Sequence, residues 1–211
     1  MRPTSVSRSA RRKRASAASL LGAWAGDGAE AFRALEQAAG DREPLVRARV
    51  ARALERAPEV ARRRLLPPLL RDPVRVVRID AAWALRGVTD RSLAPADAEA
   101  LDRALAEYRD AALYSADSPA GRLDLAMLHN VRGEQTDAER EYRAALRLDP
   151  LDALARYNFA SFLSETDRGR EAVALLEEGT RLLPRSPEMH FWLALACHEA
   201  GRLDDAIRAL E

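Results

Sequence analysis

The sequence predicts an all-α protein, a solenoid of helix-turn-helix repeats. Three observations lead there. Ala, Leu, Arg and Glu dominate the 211 residues, and these are strong helix formers. Val, Ile and Thr are sparse and aromatic residues make up only 5%, which argues against sheets. Above all, positions recur at fixed periods, first every 31 residues and then every 34. Recurrence at such periods marks stacked supersecondary units, each of which buries its apolar face on its neighbours.

The N-terminus differs from the rest. Of 34 basic residues, Arg2, Arg8, Arg11, Arg12, Lys13 and Arg14 fall in the first 26 positions, where no acidic residue occurs. The remainder holds 28 basic groups against 33 acidic ones, so the body is mildly acidic and the chain as a whole carries +1. Residues 1–13 read as a basic, flexible arm. Such an arm offers contacts to nucleic acid or anionic lipid. The body, however, has no continuous basic stripe of the kind nucleic-acid binding needs. A segment running to Ala23-Trp24-Ala25-Gly26 resembles a leader cleavage site, but Ser16, Ser19 and Gly22 dilute its apolar part. A repeat helix is the preferred reading there. No apolar run reaches the roughly 18 residues of a membrane span.

The 31-residue period covers residues 14–88. Asp41 recurs as Asp72, Val46 as Val77, Arg47 as Arg78, Ala51 as Ala82 and Leu54 as Leu85. Asp41 and Asp72 suit the N-cap of a helix, and a proline (Pro44, Pro73) is tolerated in a first turn, where its missing N–H is not needed. The small and apolar residues then fall on one face. Ala31 to Leu35 supplies a preceding helix. Val60 to Leu70 supplies the next, with a kink at Pro67-Pro68. Arg14-x-x-Ala17-Ala18-x-x-Leu21 is a partial copy lacking a first helix. This pattern resembles the HEAT repeat. That family often carries an Asp and an Arg six residues apart that form a polar ladder, the spacing of Asp41/Arg47 and Asp72/Arg78.

The 34-residue period covers residues 119–211. Ala138, Ala172 and Ala206 share it, as do Tyr142, Leu176 and Leu210, Ala145 and Gly179, and Pro150 and Pro184. The units run 119–152, 153–186 and 187–211. Each has a first helix, a Gly- or Asp-containing turn, and a second helix starting near Thr136, Arg170 or Leu203. Proline after the second helix stops it. These residues, with the apolar-small pairs Leu125-Ala126, Phe159-Ala160 and Leu193-Ala194, resemble tetratricopeptide (TPR) repeats. Arg122, Arg156 and His190 stand where that family favours tryptophan. Both resemblances imply a right-handed superhelical α-solenoid. Ala104, Tyr108 and Ala111 extend the phase backward, so residues 89–118 read as a linker (87–95) and a joining half-repeat, Ala98–Ser115. The last repeat shows no polar cap, so the expectation is that both ends are cut from a longer chain and that the open end allows homodimerisation.

Chemistry-bearing motifs are absent. No phosphate loop, dinucleotide fingerprint, metalloprotease motif or nucleophile elbow occurs. His190 and His198 lie two helical turns apart, too far to share a metal, so neither a metal site nor a cofactor is expected. Cys197-His198 falls short of the Cys-x-x-Cys-His that covalent haem needs, because Ala194 replaces the first cysteine. Cys197 reads instead as a core thiol. Glu177/Glu178 and Asp204/Asp205 are neighbours that point apart on a helix and read as solvated charges.

TPR resemblance implies that first helices line a groove. By phase its positions are Leu123, Met127, Asn130, Tyr157, Asn158, Ser161, Ser164, Phe191, Leu195 and His198, with Tyr157 and Phe191 stacked along it. Some members of the family clamp a peptide carboxylate with Lys and Asn. Only Asn158 matches and lysine is lacking, so the groove suits an apolar or aromatic peptide segment. The expected function is a non-catalytic protein–protein interaction scaffold with a protein or peptide partner. The alternative rests on a second resemblance: the HEAT-to-TPR order and the joining helix Leu101-x-x-Ala104-Leu105-x-x-Tyr108-Arg109 are similar to the C-terminal region of some multihaem c-type cytochromes. That resemblance implies an exported, periplasmic parent; otherwise the expected location is the cytoplasm.

Overall fold

A computed structural model describes residues 5–21, 29–88 and 93–211. Every regular element among them is helical, and none of these helices is long and apolar enough to cross a membrane. The chain divides into two compact units, residues 1–110 and 111–211.

The first unit holds α1 (Ser5–Leu21), α2 (Ala29–Ala39), α3 (Pro44–Ala53), α4 (Glu59–Leu65), α5 (Arg75–Leu85) and most of α6 (Pro95–Tyr114). Residues 5–13, expected as a flexible arm, instead belong to α1, because the helix-favouring run 5–21 has no glycine or proline to end it. The leader-like residues 23–26 and part of the linker, residues 89–92, lie outside the described residues. Helix α1 packs along α3, and α3 along α5. Val46, Val50, Leu54, Val77 and Leu85 fill the space between them and are fully buried. Proline ends α4 early, and Pro67–Arg71 continues as a 3-10 turn, since a proline ring clashes with the preceding helical turn.

Asp41 and Asp72 are not N-caps. Each accepts the backbone N–H two residues on, Glu43 and Val74 respectively, both at 2.8 Å, an Asx turn that sets the entry into α3 and α5. The remaining oxygens take arginines from the preceding unit. Arg14 donates to Asp41 at 2.8 Å, and Arg47 grips Asp72 with Nε at 2.5 Å and Nη2 at 2.9 Å. Arg78 makes the next rung on Glu107. Arg47 and Arg78 also donate to the carbonyls of Asp41 and Asp72, each at 2.7 Å. Burial pushes both aspartates up, but these N–H donors and arginines outweigh it and hold both below the usual carboxylate range.

The second unit is three helical hairpins: α7 (Pro119–Val131) with α8 (Gln135–Leu148), α9 (Ala153–Glu165) with α10 (Gly169–Leu182), and α11 (Pro187–Glu199) with α12 (Leu203–Leu210). Their ends repeat at 34 residues. Ser118, Asp152 and Ser186 each cap a first helix, accepting the N–H of Gly121, Ala155 and Met189. Gly133, Asp167 and Gly201 each close it in the left-handed region, at φ 73°, 61° and 73°. The next N–H then reaches back to the carbonyl of His129, Leu163 or Cys197 at 2.8–2.9 Å, completing a Schellman motif.

Polar side chains at the position favoured by tryptophan tie the hairpins together. Arg122 donates to Glu141 at 2.7 Å. Arg156, only 2% exposed, donates to the carbonyls of Leu175 and Pro150 and to Glu178. His190 lies 3.2 Å from the Ala209 carbonyl and 3.3 Å from that of Pro184. Glu141, Leu175 and Ala209 are themselves 34 apart, so one tether recurs in three chemistries. Gly179 makes room for the middle one: a Cβ there would sit 2.6 Å from Arg156 Cδ and 2.6 Å from Met189 Sδ. Tyr142, Phe159 and Phe162 stack in the core at centroid distances of 5.4–6.3 Å.

Candidate interaction groove

The Schellman turns and caps place the same face of α7, α9 and α11 side by side. Tyr157, half-buried on α9, stacks on Trp192 of α11 with ring centroids 4.6 Å apart. Below these rings lies a cleft of about 190 Å³, lined by Tyr157, Ser161, Ser164 and Glu165 of α9, by Trp192, Leu195, Ala196 and Glu199 of α11, and floored by Ala160 and Leu176. A second hollow of about 260 Å³ shares Ser164, Ala196 and Glu199 and adds Asp167, Gly169 and Ala200. The two form one trough along the C-terminal halves of α9 and α11.

Of the residues expected in the groove, Tyr157, Ser161, Ser164 and Leu195 come together in this cleft. Asn130 reaches it from α7 by donating to Glu165 at 3.1 Å. The remaining ones lie elsewhere. Leu123 is buried in the core and Met127 packs against it. Asn158 is half-buried and His198 exposed, both outside the lining. Phe191 stands 58% exposed, and the ring stacked on Tyr157 is Trp192. Both contacts across consecutive first helices, Tyr157–Trp192 and Asn130–Glu165, span 35 residues rather than 34. A residue therefore meets the neighbour one beyond its own equivalent. Trp192, Glu165 and Glu199 were missed for that reason, and an aromatic one step from the repeat phase was the signal that would have found Trp192.

Other chemical groups resolve into structural roles. Cys197 is buried, and burial raises its thiol. Three of the four acidic neighbours read as solvated charges are paired: Glu178 with Arg156, Glu177 with Arg202, and Asp205 with Arg202 and Arg208. His129, Glu134 and Asp137 bring ligand atoms within 4.8 Å of one another. However, Arg132 and Arg140 already neutralise the two carboxylates. The group also sits at the start of α8, where the helix dipole opposes a cation. On α12, Leu203, Ile207 and Leu210 form an exposed apolar face.

No curated protein is significantly similar to this chain. Among solved structures, the crystal structure of MamA protein is similar at 14% identity, covering 71% of this chain and 75% of that chain with a TM-score of 0.44. A second crystal structure of MamA is similar at 15% identity, covering 71% and 82% with a TM-score of 0.43. Residues 157–211 match the tetratricopeptide repeat family.

Proposed function

We propose that the protein is a non-catalytic scaffold that holds a partner polypeptide along the groove of its TPR first helices, with HEAT-like repeats in the first unit as a second helical platform. The observation that carries this reading is the trough between α9 and α11, where the Tyr157–Trp192 pair and Leu195 present partly exposed apolar surface. Partly exposed aromatics beside polar walls are what extended-segment recognition uses, since large rings supply binding energy with few rotamers to freeze. The segment lies against Tyr157, Ser161, Trp192 and Leu195, and Asn130 holds Glu165 in place at one rim.

The test is the paired substitution Tyr157→Ala and Trp192→Ala. Partners captured by the wild-type chain are quantified against the variant, with helicity followed by circular dichroism. Loss of capture at full helicity supports the groove. Undiminished capture by a folded variant refutes it.

A further inference from the structure

We infer that the trough between α9 and α11 selects a cationic side chain, an Arg or Lys carried by an apolar-flanked segment of the partner; this rests on the groove reading above. Three carboxylates border the trough, Glu165, Asp167 and Glu199; no basic residue lines its two hollows, and Arg168 and Arg170 line an adjoining hollow that meets the trough only at its Asp167 end. None of the three is in an ion pair among the described residues. Glu165 accepts only the neutral amide of Asn130. The side chains of Asp167, Glu199, Ser161 and Ser164 make no hydrogen bond at all among the described residues. The site thus holds unneutralised negative charge and unused acceptors next to an aromatic wall. A guanidinium or ammonium group satisfies all three features: it offers only donors, pairs with carboxylates, and is attracted to ring faces.

The adjoining Leu195, 38% exposed, and the rings provide apolar contact for residues flanking that cation. Arg168, the basic residue nearest in sequence, is engaged by Glu139 and Glu171; Arg170 faces Asp167 across the adjoining hollow, which leaves Glu165 and Glu199 as the carboxylates that select the cation.

The experiment uses the whole chain and three labelled peptides in fluorescence anisotropy: alternating leucine–arginine, leucine–serine and leucine–glutamate. The leucine–arginine peptide is expected to bind about tenfold or more tighter than the leucine–glutamate one, with the advantage shrinking as salt rises. Glu165→Gln/Glu199→Gln should remove most of that advantage while leaving leucine–serine binding unchanged. Equal affinity for the basic and acidic peptides, or a basic preference untouched by the double Gln variant, overturns the inference. So does failure of the leucine–arginine peptide to bind at millimolar concentration. When the basic preference is absent but leucine–serine binding is still lost in Tyr157→Ala/Trp192→Ala, the groove reading survives while charge selection fails. A peptide of residues 1–14 that binds tighter than leucine–arginine would place a second copy of this chain in the trough and overturn the partner assignment.

Discussion

Replacing Asp167 by glycine should stabilise the second unit by about 0.5 kcal/mol, although it deletes a charged side chain and adds no contact. Asp167 holds φ at 61° where the equivalent turns use Gly133 and Gly201 at 73°. The left-handed region costs an L-residue roughly 1–2 kcal/mol, less for Asp than for bulkier residues. Glycine avoids that strain but gives up roughly 0.5–1 kcal/mol of additional chain entropy on folding. The balance is a small gain. The reverse changes calibrate it. A Cβ at Gly133 or Gly201 meets nothing within 4 Å, so Gly133→Ala and Gly201→Ala report φ alone and should each lose about 1 kcal/mol. Asp167→Val, with a branched Cβ, should lose about 1–2 kcal/mol. Equilibrium urea unfolding followed by circular dichroism measures each. About 1 kcal/mol corresponds to roughly 2–4 °C in a chain of this size. A destabilised Asp167→Gly, or a neutral Gly133→Ala, would refute the view that the left-handed turn is what these positions supply.

Two further perturbations probe the ion pairs. Arg47→Ala should lose about 3 kcal/mol by urea unfolding, because it strands Asp72, whose side chain is only 5% exposed. Arg14→Ala, with its arginine half-exposed on the outer rung, should change stability by about 1 kcal/mol or less; equal effects would contradict the ladder's burial gradient. Glu139 is held down at about 2 chiefly by Arg168, with Arg143 also lowering it and burial working the other way. Its folded value lies below its ordinary value of 4.5, so the stabilisation is present above that value. It is lost as pH falls from about 5 through about 2. The stability difference between wild type and Glu139→Gln should therefore shrink over that range, and a constant difference would show that Glu139 is not linked.

Much of this architecture was legible because repetition averages out local ambiguity. One alanine says little, whereas Ala138, Ala172 and Ala206 at one spacing mark a helix-helix approach; the first two are fully buried and the third packs on the core. The Asp–Arg spacing likewise picked out the residues of the ladder. It did not give their geometry, since an Asx turn and an N-cap demand the same residue type and differ only by where the helix starts. The groove was half legible. Phase identifies equivalent positions, but side chains touch non-equivalent ones: the stagger between neighbouring first helices pairs Tyr157 with Trp192 and Asn130 with Glu165. A pattern built on equality pointed to Phe191, which solvent surrounds. Helix caps at Ser118, Asp152 and Ser186 were present in the sequence at the same 34-residue spacing and needed only to be sought there.

The tethers inside the hairpins and the carboxylates outside them place charge in two different ways. A tryptophan at positions 122, 156 and 190 would fill the inter-helix space with apolar bulk. Polar side chains there need partners, since a buried unsatisfied donor is costly; the terminal nitrogens of Arg122 and Arg156 find them, while the Nε of each is buried without one among the described residues. Arg122 turns to Glu141 and Arg156 to Glu178. Outside the hairpin cores, Arg168 and Arg202 bind Glu139, Glu171, Glu177 and Asp205. These arginines are thereby committed to the second helices and the turns. Among the described residues, the first-helix carboxylates Glu165 and Glu199 at the C-terminal ends of α9 and α11 have no ion-pair partner, although the protein is almost neutral overall. Local electrostatics, not net charge, decides what the groove attracts.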